Sequence, residues 1–260
     1  MLNIAITAGG TSENMDGVRK ITNVSTGSLG WYCLEAVFEG KKKKKNSDFH
    51  VYYLLTESAA KKDLSENQKP FVTFIPVTDA ASAYYAVENL MDNVTITHFI
   101  HSMAVSDFTF SYAVSLEKMA SEIFDLFQTY KNMTEEAIKK VLYLPESRFT
   151  EGAKISSESE ILMGLTTTRK IISLIKKKNK NTVLVGFKLL SNTDESQLML
   201  EAERLTRKND CDLVLANEVS HISETNHQGI LIKKGKIIAR PSGKKEIANS
   251  IVKHLFDTKL

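Results

Sequence analysis

Two glycine-rich turns near the amino end are the residues best suited to chemistry. Gly9 and Gly10 follow the apolar run MLNIAIT, and Ser25-Thr26-Gly27-Ser28-Leu29-Gly30 leads into the periodic apolar residues Trp31, Leu34, Val37 and Phe38. A turn without Cβ atoms lets backbone N–H groups come close to an anion. A helix N-terminus adds unpaired N–H groups and the positive end of a dipole. The chemistry implied is phosphate binding. The spacing departs from G-x-G-x-x-G, because a polar loop separates Gly10 from Gly27, and glycines alone leave ordinary turns as the alternative.

Other candidates lie where strands are expected to end. Phe187 closes TVLVGF and Asn217 follows DLVLA. A base could stack on the ring, and the amide could bond a carbonyl or phosphoryl oxygen; by periodicity alone each is a strand terminus. Asp107 follows VTITHFI by a few residues and could receive substrate N–H or hydroxyl groups, or cap a turn. His101 reads as a structural, hydrogen-bonded residue, since no cysteine, serine or second histidine is spaced to form a triad with it. Lys154 sits in a polar loop after a glycine, and its default reading is solvent exposure. Glu57 stands after the second expected strand, where a dinucleotide fold would hold a ribose hydroxyl. Lys41 to Lys45 is a solvated loop or a basic patch.

The elements that must position these residues alternate strand and helix. Strands are expected at Met1 to Thr7, Phe49 to Leu55, Phe71 to Pro76, Val94 to Ile100, Ile161 to Thr167, Thr182 to Phe187 and Asp212 to Ala216. Gly229 to Ile232 and Lys236 to Ala239 flank Lys233-Lys234-Gly235 as a hairpin. Helices follow most strands, one capped by Thr78 and one over Lys244 to Phe256. This order gives an α/β class: a Rossmann-like, doubly wound, mainly parallel sheet with helices on both faces and a small C-terminal β-hairpin. Residues 115 to 144 read as a helical insertion in a single domain over 1–260.

A chain of 260 residues, 42% hydrophobic, has enough material for a large core. A net charge of +3 is too mild to imply a nucleic-acid partner. No apolar run approaches the roughly 18 residues of a membrane span, so no membrane partner is expected. Cys33 and Cys211 match no metal-ligand spacing and read as reduced, buried thiols of a cytoplasmic protein.

Taken in order, AGGTSENMDGVRKITNVSTGSLG, AVSDF, AKIS, VGFKL and LANEV resemble the phosphopantothenoylcysteine synthetases, which join 4′-phosphopantothenate to L-cysteine in coenzyme A biosynthesis. The most specific piece is GGT, then a polar loop with Val-Arg, then Asn-x-Ser-x-Gly-x-x-Gly. The resemblance implies nucleotide contacts at Gly9, Gly10, Ser25, Gly27, Gly30, Phe187, Asn217 and Lys244. It implies substrate contacts at Asn23, Ala104 and Asp107, and an Arg19 that reaches the substrate phosphate across a homodimer interface. Lys154 falls on a lysine needed for the reaction.

The implied reaction is attack of the phosphopantothenate carboxylate on the α-phosphorus of CTP or ATP, with CTP preferred. Pyrophosphate leaves, and the cysteine amine then captures the acyl nucleotide. Such chemistry requires positioning and charge compensation rather than a protein nucleophile, with magnesium accompanying the triphosphate and ligands of its own left unassigned. Asn217 is expected at the acyl-phosphate oxygens and Lys154 at the developing charge. Departures are Ser156-Ser157 after Lys154-Ile155, Met103 before Ala104, and Leu190 in place of an acid. The chain begins directly with a strand, as a stand-alone bacterial form would. The rival readings are an NAD(P)-dependent oxidoreductase using Glu57 and a non-enzymatic nucleotide- or RNA-binding module using Lys41 to Lys45.

Overall fold

The computed structural model describes residues 1–43, 48–129, 134–149, 160–221 and 227–257. The amino-terminal half forms β1 (Leu2–Ala8), β2 (Ser12–Asn14), β3 (Lys20–Thr22), α1 (Ser28–Lys43), β4 (Phe49–Leu55), β5 (Val72–Pro76), α2 (Ala80–Asn93), β6 (His98–His101) and β7 (Phe108–Ser115). There follow α3 (Leu116–Thr129), α4 (Glu135–Tyr143), β8 (Ile161–Thr167), α5 (Ile171–Lys178), β9 (Val183–Leu190), α6 (Glu195–Asn209), β10 (Leu213–Glu218), β11 (Ile230–Lys233), β12 (Lys236–Ala239) and α7 (Lys244–Asp257). Contacts group these into two compact units. The first holds Met1–Thr11, Asn23–Val105 and Lys170–Leu260; the second holds Ser12–Thr22 and Ser106–Arg169.

The first unit is built on an eight-stranded sheet in the order β12-β11-β10-β9-β6-β1-β4-β5. From β5 to β10 every pairing is parallel, and β11 and β12 add antiparallel. Counting only the parallel strands in chain order, this is the doubly wound order 3-2-1-4-5-6, which reverses direction between β1 and β6. The expected α/β class is what the chain forms. Both faces of the sheet are buried, so β1 is mostly apolar: Ile4, Ile6 and Ala8 enter the core beneath α1 and α7, while Ala5 enters the core beneath α2, α5 and α6. Trp31 anchors α1 by stacking on Phe74 and meeting Tyr53 edge-on. Cys33 and Cys211 are buried free thiols, each pushed up to about 12 mainly by desolvation.

The hairpin forms as expected: Lys234 and Gly235 both have positive φ, as a two-residue turn matched to strand twist requires. Three local expectations are corrected. The N-cap of α2 is Asp79, whose carboxylate accepts from Ser82 N, whereas Thr78 donates its own N–H to Ser82 Oγ. Strand β6 begins only at His98, because Val94 still closes α2 through a bond to Leu90 O. Residues 41–43, expected in a loop, form the last turn of α1, since lysine is a good helix former; Lys44 and Lys45 lie outside the described residues.

The second unit contains three strands absent from the expected list, β2, β3 and β7. The short antiparallel pair β2 and β3 folds the polar loop of the first motif, and β7 pairs antiparallel with β8. Helices α3 and α4, foreseen as an insertion, belong to this unit; Met119 of α3 packs with Tyr112 and Val114 of β7.

Asp79→Ala should cost about 1 kcal/mol in urea unfolding, while Thr78→Ala stays within about 0.5 kcal/mol. Equal losses would contradict the cap assignment.

Candidate functional site

The polar residues of the first unit gather along the carboxyl edge of the parallel strands. Beyond β1, Gly9 O accepts from Ala104 N (2.8 Å) and Thr11 N donates to Ala104 O (3.1 Å), so the Gly9-Gly10 turn pairs with the segment that leaves β6. Thr11 O accepts from Asn23 N (3.1 Å), which brings the second glycine segment onto the first. Gly9 and Gly27 both have positive φ, +93° and +64°. A Cβ on Gly27 would lie 2.9 Å from Gly9 N, and one on Gly10 would lie 2.0 Å from Asn23 O. The two turns therefore touch backbone to backbone, with no room for a side chain between them.

Helix α1 starts from this contact. Gly27 O accepts from Trp31 N, Ser25 Oγ accepts from Gly27 N, and the first turn carries no acidic residue. The positive end of a 16-residue helix thus stands at the glycine corner without a carboxylate of its own helix. Gly30 is buried, and a Cβ there would meet Ala8 Cβ at 2.7 Å. Its absence of a side chain serves helix-to-strand packing.

Beneath the corner, the Thr7 hydroxyl accepts from Met103 N (3.2 Å) and shares a hydrogen bond with His101 Nδ1 (2.9 Å), and Ser102 Oγ donates to Thr7 O. His101 is therefore tied into the scaffold, as the absence of triad partners implied. Desolvation pushes it down to about 4.

Further along the edge, Phe187 and Asn217 lie within strands rather than at their ends. Phe187 pairs in register with Leu215 and packs on the α1/α7 core, and Asn217, two residues on from Leu215, shares that face. Asn217 is 5% exposed and donates Nδ2 to Gln228 O (2.9 Å) and to His227 Nε2 (2.9 Å). It also lines a cavity of about 310 Å³ with Glu218, Gly229 and Asp194. His227 is buried, its O accepts from Gly243 N, and it is pushed below the usual histidine value by desolvation and then by Lys244, the first residue of α7. His227 had no motif to mark it. Its only trace in the sequence is a polar residue just ahead of the hairpin.

The remaining candidates belong to the second unit or fall outside the described residues. Arg19 sits at the β2–β3 turn, where Asp16 accepts from the backbone N–H groups of Val18 and Arg19 and pairs weakly with the guanidinium at 3.5 Å. Those backbone bonds, ahead of the arginine charge, hold the Asp16 carboxyl below its ordinary value. Asp107 is exposed at the start of β7, and its O accepts from Thr168 N. Lys154 lies outside the described residues. Glu57 is exposed after β4. Among the described residues no helix is long and apolar enough to cross a membrane, and no three His, Cys, Asp or Glu side chains converge as a metal cage.

Comparison with known proteins places this geometry. The family model described as the DNA/pantothenate metabolism flavoprotein C-terminal domain matches residues 1–136 and 141–258. The chain belongs to that family, and its likeness to the phosphopantothenoylcysteine synthetases, drawn from the motifs, stands. A solved DNA/pantothenate metabolism flavoprotein from Streptococcus pneumoniae is 31% identical, with 99% of each chain covered and a TM-score of 0.77. The coenzyme A biosynthesis bifunctional protein CoaBC of Methanocaldococcus jannaschii is 25% identical over 96% of this chain and 49% of its own. The chain thus spans about half the length of the curated relatives it matches. A Cab2 variant solved in complex with phosphopantothenate-cysteine shares the fold at 17% identity, with 98% of this chain and 85% of that one covered and a TM-score of 0.66.

The half-buried His101 fixes a pH dependence. The unfolded chain takes up this proton near 6.5 and the folded chain only near 4, so stability is full above 6.5 and falls as pH drops toward 4. The loss should reach about 3 kcal/mol. A urea series from pH 7 to 4 should show a flatter dependence in His101→Gln than in the wild type; parallel curves would contradict the assignment.

Proposed function

We propose that the chain is a phosphopantothenate–cysteine ligase. The observation that carries this reading is the backbone contact of two glycine turns at the N-terminus of α1, on the same sheet face as Phe187, Asn217 and Lys244. A triphosphate lies along Gly9, Gly10, Ser25, Gly27 and Gly30, its base against Phe187, with Asn217 and Lys244 completing the nucleotide site. Asn23 and Ala104 are assigned to the substrate, and Asp107 of the second unit to its pantothenate arm.

The carboxylate of 4′-phosphopantothenate attacks the α-phosphorus, the bond to the β-phosphate oxygen breaks, and pyrophosphate departs. The amine of L-cysteine then attacks the acyl carbon and the nucleoside monophosphate leaves. Both steps move negative charge between fixed oxygens, for which the positive end of α1 and its N–H groups are suited. Lys154 supplies further positive charge. CTP is the preferred nucleotide, and ATP is the alternative on the same geometry. Magnesium would accompany the triphosphate and offset its negative charge.

Arg19 serves the substrate phosphate of a partner protomer in a homodimer. Support comes from the second unit, which exposes Phe124 and Phe127 of α3, Tyr143 of α4 and Met163 of β8, more large apolar surface than a small unit leaves in water without cause. Light scattering should report twice the 29.1 kDa chain mass, and a monomer with full activity would contradict the role of Arg19.

The reaction is tested by supplying phosphopantothenate and cysteine with CTP or ATP and measuring pyrophosphate. Asn217→Ala should lower its release by about tenfold or more with circular dichroism retained. Unchanged turnover would remove Asn217 from the site.

A further inference from the structure

A phosphoryl or acyl oxygen only accepts hydrogen bonds, so an asparagine that serves one must offer an N–H. Asn217 has none to offer in this fold. The Gln228 carbonyl is itself an acceptor, so the atom facing it at 2.9 Å is necessarily the amide nitrogen. That orientation turns the second N–H toward His227 Nε2 at 2.9 Å, which must therefore accept, and the ring proton resides on Nδ1. His227 Nδ1 is buried and finds no acceptor among the described residues. Flipping the amide would set Oδ1 against the Gln228 carbonyl, and protonating Nε2 would set N–H against N–H.

We infer that His227 is a positioning residue that completes the polarity the Gln228 carbonyl sets at Asn217: together they take both amide protons, so that Asn217 presents only Oδ1, as an acceptor, to a donor on the bound nucleoside. The inference rests on the nucleotide site proposed above. Two groups of a nucleoside can donate, a sugar hydroxyl and an exocyclic base amine. The phosphates have no proton to give when ionised. Discrimination arises because a ligand without the donor leaves a nearly buried oxygen unpaired.

Calorimetry on the full chain, with cysteine and phosphopantothenate absent, distinguishes the two sources. The titrants are CTP and ATP, their 2′-deoxy and 3′-deoxy forms, and UTP and ITP, which lack the amine. One class of analogue should bind about tenfold more weakly than its parent. The penalty should vanish in Asn217→Leu, which removes the acceptor, and persist in His227→Gln, whose amide oxygen can accept near the position of Nε2. In ¹⁵N spectra of the wild type, His227 should show the Nδ1–H tautomer and the Asn217 amide pair should resist exchange; His227→Leu should lose that protection. Equal binding of all analogues by the wild type overturns the inference, as does a penalty unchanged in Asn217→Leu or an Asn217 amide pair still protected in His227→Leu. If no triphosphate binds while the amide pair stays protected, the nucleotide reading itself fails, and the acceptor loses its ligand.

Discussion

The structure depends on a contact between two stretches of bare backbone. Gly9 leaves β1 at the point where the sheet reverses its winding, and Gly27, 18 positions later, packs against its amide as α1 begins. Any side chain at Gly27 would drive helix and strand apart, and any at Gly10 would strike Asn23 O. Ordering such residues costs backbone entropy, on the order of 0.5–1 kcal/mol each relative to alanine. That cost is offset by what the contact makes possible: α1 descends onto Ile4, Ile6 and Val51 with Trp31, Leu34 and Val37 fully engaged. The helix N-terminus and the strand edge are thus brought together by packing, before any ligand contributes.

A second feature is shared by the two histidines near this edge. His101 shares a hydrogen bond with Thr7 and His227 accepts from Asn217, so each ring is fixed in place by a side-chain partner. Both are also pushed toward the neutral form by burial. Their work is orientation: one fixes the floor below the glycine corner, the other fixes an amide in β10. A site for acyl activation without a protein nucleophile relies on this kind of fixed polarity rather than on proton shuttling.

The sheet was legible because buried parallel strands read as continuous apolar runs, and MLNIAIT, FHVYYLL and TVLVGF are such runs. The glycine corner was legible as two turns, but their contact was not, since nothing local in the sequence states that Gly9 and Gly27 meet. Strand β7 was overlooked although Phe108, Phe110, Tyr112 and Val114 alternate, because the eye follows the helical periodicity that begins at Leu116. The Asp79 cap was displaced by one residue, which is the usual ambiguity where two capping residues adjoin. His227 was invisible for a deeper reason: its partner Asn217 lies across a turn, and a tautomer is set by three-dimensional bonding alone.

The central claim is that the glycine corner holds a triphosphate with its base toward Phe187. A crystal structure of the chain with a non-hydrolysable CTP or ATP analogue tests it most directly. The phosphates should lie against Gly9, Gly10 and the first turn of α1, with the base at Phe187 and the sugar near Asn217. Density for the analogue at a place remote from Gly9, Gly27 and Asn217 would contradict the account.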